Sequence, residues 1–129
     1  MIEKVLREAV QAGADELVNY FNGQFKISNK EGVNNLVTEA DHAAEKAIIK
    51  AIRREFPDHY ILSEEEGEMR TASNYKWIID PIDGTVNFSN GIPLCCVSIA
   101  VEKDGEVIMG CVYNPNMNEM FFEIGRAHV

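Results

Sequence analysis

Two aspartates, Asp80 and Asp83, lie three positions apart directly after the apolar segment formed by residues 77–79. Carboxylates at a strand end are oxygen ligands for a hard cation, and Mg²⁺ commonly takes one or two of them together with phosphate oxygens. The proline that follows Asp80 interrupts the hydrogen-bond ladder of the strand. Gly84 allows the backbone N–H groups of the next turn to approach an anion closely. This short segment therefore predicts a site for a divalent cation and a phosphate group.

Three further acidic residues fall at the predicted ends of elements: Asp41 at a helix start, and Glu64 and Glu65 after a short strand. Because neighbouring strands end at a common edge of a sheet, we expect Glu64 to meet the two aspartates around shared cations. Each residue alone also has a simpler interpretation. Asp41 is typical of a helix N-cap, Glu64 of a solvated acidic run, and the aspartates of turns.

The bulk properties limit the class of protein. The chain has 129 residues, enough for one domain with a core, and its 21 acidic against 12 basic residues give a net charge of −9. This charge disfavours nucleic acid and anionic membranes as partners. The three cysteines lie in apolar runs without a metal-binding spacing, which predicts reduced thiols and a cytoplasmic location. The N-terminus has no signal-peptide pattern and no run reaches the roughly 18 apolar residues of a membrane span, so we expect an unexported, soluble protein.

Apolar periodicity predicts two helices in the first half of the chain. One runs from Ile2 to about Phe21, and a stronger one from Thr38 to Phe56, with Thr38 or Asp41 capping its start. Between them we expect a short strand at residues 25–28 and a mobile polar loop at 29–35 that carries Lys30.

Strand patterns dominate the second half of the chain. Short strands are predicted at residues 59–63 and 76–79, with a polar loop at 68–74 between them. Residues 94–101 and 107–113 are predicted to form a hairpin through Asp104 and Gly105, and residues 119–122 to begin a third strand. Helices followed by antiparallel strands favour a layered α+β fold over a doubly wound parallel one.

Several segments together resemble the inositol monophosphatase family in order and spacing. They are residues 36–41, 63–65, 77–88, 97–100 and 110–115, of which the Asp-Pro-Ile-Asp-Gly-Thr run at 80–85 is the most specific. The resemblance extends to about Phe122. It implies an αβαβα sandwich, of which this chain holds the first half, in a homodimeric protein that hydrolyses phosphate monoesters with two or three Mg²⁺ ions.

The resemblance also implies roles for individual residues. The metal ligands are expected to be Glu64, Asp80, the backbone carbonyl of Ile82, and Asp83. The Mg²⁺ ions held by these ligands would neutralise charge on the phosphoryl group. Glu64 would also take part in the catalytic step.

The attacking water and the substrate phosphate are assigned to a second group. Thr85 and Asp41 match the pair that would orient and deprotonate the water, and Gly84 and Thr85 would donate N–H groups to the phosphate. Lys30 falls where the family has a cation in a mobile loop. Glu65 would support the metal ligands from behind. Ser63 stands where the family usually has glycine, a change we expect to be tolerated.

Two alternative classes of protein make different demands on these residues. A haloacid-dehalogenase type of site needs a nucleophilic aspartate two residues before Asp83, where this chain has Pro81, so an aspartyl-phosphate cannot form there. A non-catalytic cation- or phosphate-binding domain stays open, although such a domain has no need of the pair Thr85 and Asp41.

The family is about twice as long as this chain. We expect residues 1–123 to form the N-terminal metal-binding portion, and residues 124–129 to be a non-native tail derived from a sequencing adapter. A further metal-ligand aspartate and most substrate-selecting residues would then be missing. We therefore expect the 129-residue chain alone to be inactive and to aggregate through uncovered apolar strands.

Overall fold

The computed structural model describes residues 1–23, 30–64, 66–83, 96–115 and 117–125, without the side chains of 21–23, 30–38 and 81–83. Two helices precede six strands in these parts of the chain. The elements are α1 (Ile2–Gly23), α2 (Lys30–Glu55), β1 (Tyr60–Ser63), β2 (Gly67–Met69), β3 (Tyr75–Asp83), β4 (Cys96–Lys103), β5 (Glu106–Asn114) and β6 (Glu119–Ile124).

The six strands form one mixed sheet in the order β2-β1-β3-β4-β5-β6. Strands β1 and β3 pair in parallel, and every other pairing among these strands is antiparallel. The α+β class predicted from the order of elements is confirmed. No helix within the described ranges is both long and apolar enough to cross a lipid bilayer.

The hydrophobic core lies between the two helices and one face of the sheet. Helix α1 packs over β4 and β5, and α2 packs over β3. Side chains that alternate along the strands point into this layer, which is the pattern of a sheet covered on one face. The largest fully buried core side chains are those of Trp77, Leu6, Leu17, Ile48, Ile52, Ile61 and Ile99.

The opposite face of the sheet is not covered by either helix. The strand register places Ile78, Ala100 and Gly110 in one row of this face, and Ser98, Val112 and Phe121 in the next. The side chain of Phe121 is 65% exposed, and a groove of about 670 Å³ opens beside it. These rows are mostly apolar, although Asp80 lies opposite Ser98 in the second, and the face is accessible in the described part of the chain.

The predicted hairpin between β4 and β5 is confirmed, and its turn explains the sequence. Asp104 and Gly105 have positive φ angles of 53° and 84°, the conformation required at both central positions of a type I′ turn. The Asp104 N–H also donates to the carbonyl of Asn74 over 2.9 Å. This bond fixes the turn beside the start of β3.

The start of α2 differs from the prediction. The helix begins at Lys30, so residues 30–35 are helical rather than a mobile loop, and Thr38 and Asp41 lie inside the helix rather than at its N-cap. Apolar residues at 33, 37, 40 and 44 continue the helical period into this segment. The glycine and two asparagines there have low helix propensity, and a helix stabilised by its packing tolerates them.

Other boundaries differ by smaller amounts. Strand β2 (Gly67–Met69) overlaps the start of the segment predicted as a polar loop, and its three residues pair with β1. The predicted strand at residues 25–28 lies outside the described residues. Strand β6 continues through Ile124, and the N–H of Gly125 donates to the carbonyl of Ile108 over 2.6 Å. The proposed change of origin after residue 123 stays a prediction.

Candidate metal and phosphate site

Glu64 and Asp80 occupy equivalent positions at one edge of the sheet. In the parallel pair of β1 and β3, Ser63 lies opposite Ile79, and the two acidic residues come next on their respective chains. Neighbouring strands are about 4.8 Å apart, so the two backbones bring these carboxylates to a common edge. This is the arrangement expected from the sequence, and their role as metal ligands stays a prediction.

A β-bulge in β3 separates Asp80 from Asp83. Asp80 lies opposite Ser98 and Asp83 lies opposite Cys96, so three steps along β3 correspond to two steps along β4. Residues three apart on a regular strand occupy opposite faces, whereas the extra residue of a bulge changes this relation. Asp80 and Asp83 are therefore paired with two residues of β4, Ser98 and Cys96, that share a face of the sheet. The proline after Asp80 is compatible with this irregularity because it has no N–H for the ladder.

The turn that carries Glu64 is attached to α2 by a buried carboxylate. Glu45 has no exposed surface, and one of its oxygens, Oε1, accepts a hydrogen bond from the Ser63 hydroxyl. The same oxygen accepts the backbone N–H of Glu66 over 2.7 Å. The sequence interpretation missed Glu45, although one signal was available: it shares a helix face with Ile48 and Ile52, at a three- to four-residue spacing.

Asp41 lies one helical turn before Glu45 on α2. Residues four apart share a helix face. The Asp41 backbone lies about 6 Å along the helix axis from that of Glu45, which contacts the turn that carries Glu64. Asp41 is partly buried. Lys30 lies in the first turn of the same helix. Asp41 therefore shares a side of α2 with Glu45, the residue that contacts the turn carrying Glu64.

Other predicted site residues are described only in part. Ile82 and Asp83 belong to β3, but their side chains lie outside the description. Glu65, Gly84 and Thr85 lie outside the described residues altogether. The predicted water-activating pair and the phosphate-binding N–H groups thus stay predictions from sequence.

The described donors fit Mg²⁺ in their chemistry. Glu64 and Asp80 offer hard carboxylate oxygens, the type of ligand that Mg²⁺ prefers and that soft metals do not. Among the residues the structure describes, no group of three or more acidic, histidine or cysteine side chains could hold a metal ion. The third expected carboxylate, Asp83, lies beyond that description, so the described part supplies two ligands of the predicted set.

Solved structures define the class of protein that has this fold. The chain is similar to the extragenic suppressor protein SuhB of Bartonella henselae, with a TM-score of 0.84, 32% identity, and coverage of 95% of this chain and 48% of that one. It is also similar to an inositol monophosphatase from Anabaena, with a TM-score of 0.78, 34% identity, and coverage of 94% and 42%. Both belong to the layered α+β class predicted above.

The sequence model of the inositol monophosphatase family matches residues 1–127, and the chain belongs to this family. It is 42% identical to the Nus factor SuhB of Haemophilus influenzae over 122 residues, which are 94% of this chain and 46% of that protein. It is 40% identical to an inositol-1-monophosphatase of Synechocystis over 119 residues, 92% of this chain and 42% of that one. The chain spans about half the length of these curated relatives. The family resemblance drawn from the sequence is confirmed.

Proposed function

We propose that the whole protein is a Mg²⁺-dependent phosphatase that hydrolyses inositol-phosphate or sugar-phosphate monoesters. The observation that carries this proposal is the register of β1 and β3, which brings Glu64 and Asp80 to one sheet edge. Family membership supports a phosphatase-like enzyme. A cytoplasmic homodimer is part of the proposal, and the free thiol of Cys111 is consistent with a reducing compartment.

The proposed metal ligands are carboxylates and one backbone carbonyl. Glu64, Asp80 and Asp83 would hold Mg²⁺ through their side chains, and Ile82 through its carbonyl oxygen. Bound Mg²⁺ would supply charge neutralisation and Lewis acidity for phosphoryl transfer. The bulge supports this assignment because it gives Asp80 and Asp83 register positions on one face of the sheet.

The chain's own groups would orient the substrate and move the proton. The backbone N–H groups of Gly84 and Thr85 would bind phosphate oxygens. The Thr85 hydroxyl would accept a hydrogen bond from the attacking water and pass a proton toward Asp41. Asp41 lies one helical turn from Glu45, which contacts the turn that carries Glu64, and this position supports the role. Lys30 would add a positive charge near the phosphate, and Glu65 would orient the metal ligands.

The test is the variant Asp80→Asn in the whole protein, with Glu106→Gln as the control. Glu106 is an exposed carboxylate on the same sheet, so the control removes an equal charge away from the proposed site. We expect Asp80→Asn to lose on the order of 100-fold or more in phosphate release, the cost of removing one preorganised electrostatic group. The control should keep wild-type turnover of inositol monophosphate and sugar phosphates. Unchanged turnover in Asp80→Asn would exclude the proposed site.

A second candidate is a non-catalytic domain that binds a cation or phosphate. The similarity to a relative named Nus factor SuhB favours it, because that name describes no hydrolysis. Calorimetry combined with a phosphate-release assay separates the two candidates. Mg²⁺ binding without release from any monoester of a panel would favour the binding domain, and metal-dependent release would favour the phosphatase.

A further inference from the structure

The acidic turn between β1 and β2 is held at both sides of Glu64. Ser63 pairs with Gly67, so β1 and β2 form a hairpin whose turn carries Glu64 and Glu66, and Gly67 closes it with a φ angle of 76°. Ser63 comes immediately before Glu64, and Glu66 comes two residues after it. Both of these residues donate to Oε1 of Glu45. Hydrogen bonds to Glu45 are therefore formed on both sides of Glu64, the predicted metal ligand.

Glu45, which accepts both of these hydrogen bonds, is buried. Glu45 is fully buried and Ser63 is 4% exposed, in contrast to Glu64, which is exposed. A carboxylate away from water needs hydrogen-bond donors, because its burial is otherwise very costly. The donors that Glu45 receives from the turn are a hydroxyl and a backbone N–H, both with fixed positions on the hairpin. These two hydrogen bonds therefore hold the turn in a fixed position against α2.

The direction of the Ser63 side chain explains why its hydrogen bond to Glu45 affects the position of Glu64. Ser63 and Ile79 are paired and both are buried on the face that α2 covers. Alternation along β3 directs Asp80, the position after Ile79, away from α2, and Glu64, the position after Ser63, is exposed. Holding Ser63 against Glu45 therefore holds the Glu64 position beside that of Asp80.

We propose that Glu45 and Ser63 are positioning residues for the metal site, acting through the turn that carries Glu64 and Glu66 to keep Glu64 beside Asp80. The inference rests on the proposed Mg²⁺ site and adds two residues that do not touch the metal. It gives Ser63 a role that the sequence interpretation did not: the hydroxyl is the link between strand β1 and the buried carboxylate. A glycine at this position has no hydroxyl with which to form that link.

The experiment compares four variants of the whole protein: Glu45→Ala, Glu45→Gln, Ser63→Ala and, as the control, Glu55→Gln. Glu55 is an exposed carboxylate on the same helix. Mg²⁺ affinity is measured by calorimetry without substrate, at a temperature where near-ultraviolet circular dichroism shows each variant to be folded. Residues behind metal ligands typically change affinity 10- to 100-fold. We expect losses of roughly this size in Glu45→Ala and about tenfold in Ser63→Ala.

Glu45→Gln supplies the conservative comparison. Its amide oxygen can accept both donors, so we expect Mg²⁺ affinity closer to wild type than in Glu45→Ala. The control should bind Mg²⁺ as the wild type does. Hydrogen exchange of the Glu66 amide, measured without Mg²⁺, should be faster in Glu45→Ala than in Glu45→Gln.

The outcomes separate this inference from the proposed function. Wild-type protein that binds no Mg²⁺ would exclude the metal site and the positioning role together. Wild-type protein that binds Mg²⁺, with folded Ser63→Ala binding it equally tightly, would overturn only the positioning role. A residue important for stability alone would lower the melting temperature and leave the affinity of the folded protein unchanged. Ser63→Ala removes only one hydroxyl, so it keeps the test valid if Glu45→Ala does not fold.

Discussion

The indole N–H of Trp77 donates a hydrogen bond to Nδ1 of His59 over 2.9 Å. The imidazole ring lies between the rings of Phe56 and Tyr75, stacked at centroid distances of 4.4 and 4.8 Å. Because Nδ1 accepts a hydrogen bond, this arrangement requires the neutral imidazole with its proton on Nε2. Burial, and then the charge of Arg53, lower the pKa of His59 below its ordinary value of 6.5. Protonation of His59 therefore opposes folding.

The first prediction is that the free energy of unfolding falls as the pH falls below about 6.5. The unfolded chain binds a proton at His59 before the folded chain does, since the folded pKa is the lower of the two. The stabilising contribution is complete above the unfolded pKa and is lost as the pH falls toward and through the folded one. Urea unfolding followed by fluorescence measures it, because Trp77 is the single tryptophan of the chain.

Two substitutions test whether His59 causes this pH dependence. His59→Gln cannot titrate, so its unfolding free energy should have a smaller slope in this pH window than that of the wild type. His42→Gln, which replaces a histidine of α2, should keep the His59 part of the slope. An equal slope in the wild type and His59→Gln would contradict the assignment.

The second prediction concerns the contact of α1 with α2. A Cβ atom on Gly13 would lie 2.7 Å from Cδ1 and 2.8 Å from Cγ1 of Ile48, closer than packed carbon atoms approach. We expect overpacking in Gly13→Ala to cost about 1–3 kcal/mol of unfolding free energy. Alanine has the better helix propensity by about 1 kcal/mol, so the measured loss is the difference of the two effects.

A double-mutant cycle tests the stated cause. Ile48→Ala removes the two carbon atoms that would lie too close to the new methyl group. In that background, Gly13→Ala should cost much less, or stabilise the fold, when measured by urea unfolding. An equal cost in both backgrounds would show that the side chain of Ile48 is not the obstacle.

The third prediction concerns the thiol of Cys111. This residue is 1% exposed, and burial raises the pKa of its thiol, opposed in part by the charge of Arg7. The thiolate is the reactive form, so a raised pKa and lack of access both slow alkylation. Mass spectrometry after a short iodoacetamide pulse near pH 8 should find Cys111 unmodified in native protein and modified in urea. Rapid labelling of Cys111 without urea would contradict its burial.

The sequence predicted those elements that depend on local conformation. The hairpin at Asp104 and Gly105 was predicted because two adjacent residues with positive φ are a local requirement with few solutions. The first helix was predicted because its apolar period ends at Asn22 and Gly23. The predicted start of α2 was wrong, because the polar residues at 29–35 indicated a loop whereas the apolar period of the helix continues through this segment.

The arrangement of the candidate site depends on non-local pairing. A common sheet edge for Glu64 and Asp80 followed from the general behaviour of strand ends. The bulge that gives Asp80 and Asp83 matched register positions depends on how β3 pairs with β4, and no local pattern encodes that register. Glu45 was missed because its partners, Ser63 and Glu66, are 18 and 21 residues away along the chain.

The fourth prediction concerns the face of the sheet that the helices leave uncovered. Phe121 is 65% exposed at the centre of its strand, next to the half-buried Val112. Apolar surface of this kind drives association when a chain is studied by itself. We expect the 129-residue polypeptide to self-associate, and Phe121→Ser to shift it toward the monomer by removing an exposed aromatic ring.

Sedimentation velocity over a range of protein concentrations measures this shift. Met117→Ser is the matched control, because Met117 is also exposed but lies in the turn before β6, outside the apolar rows. The control should associate as the wild type does, since its substitution leaves the uncovered face intact. A monomeric wild-type polypeptide at high concentration, or equal association in both variants, would show that this face does not drive association. Association abolished only by Phe121→Ser would assign it to the row that contains Val112 and Ser98.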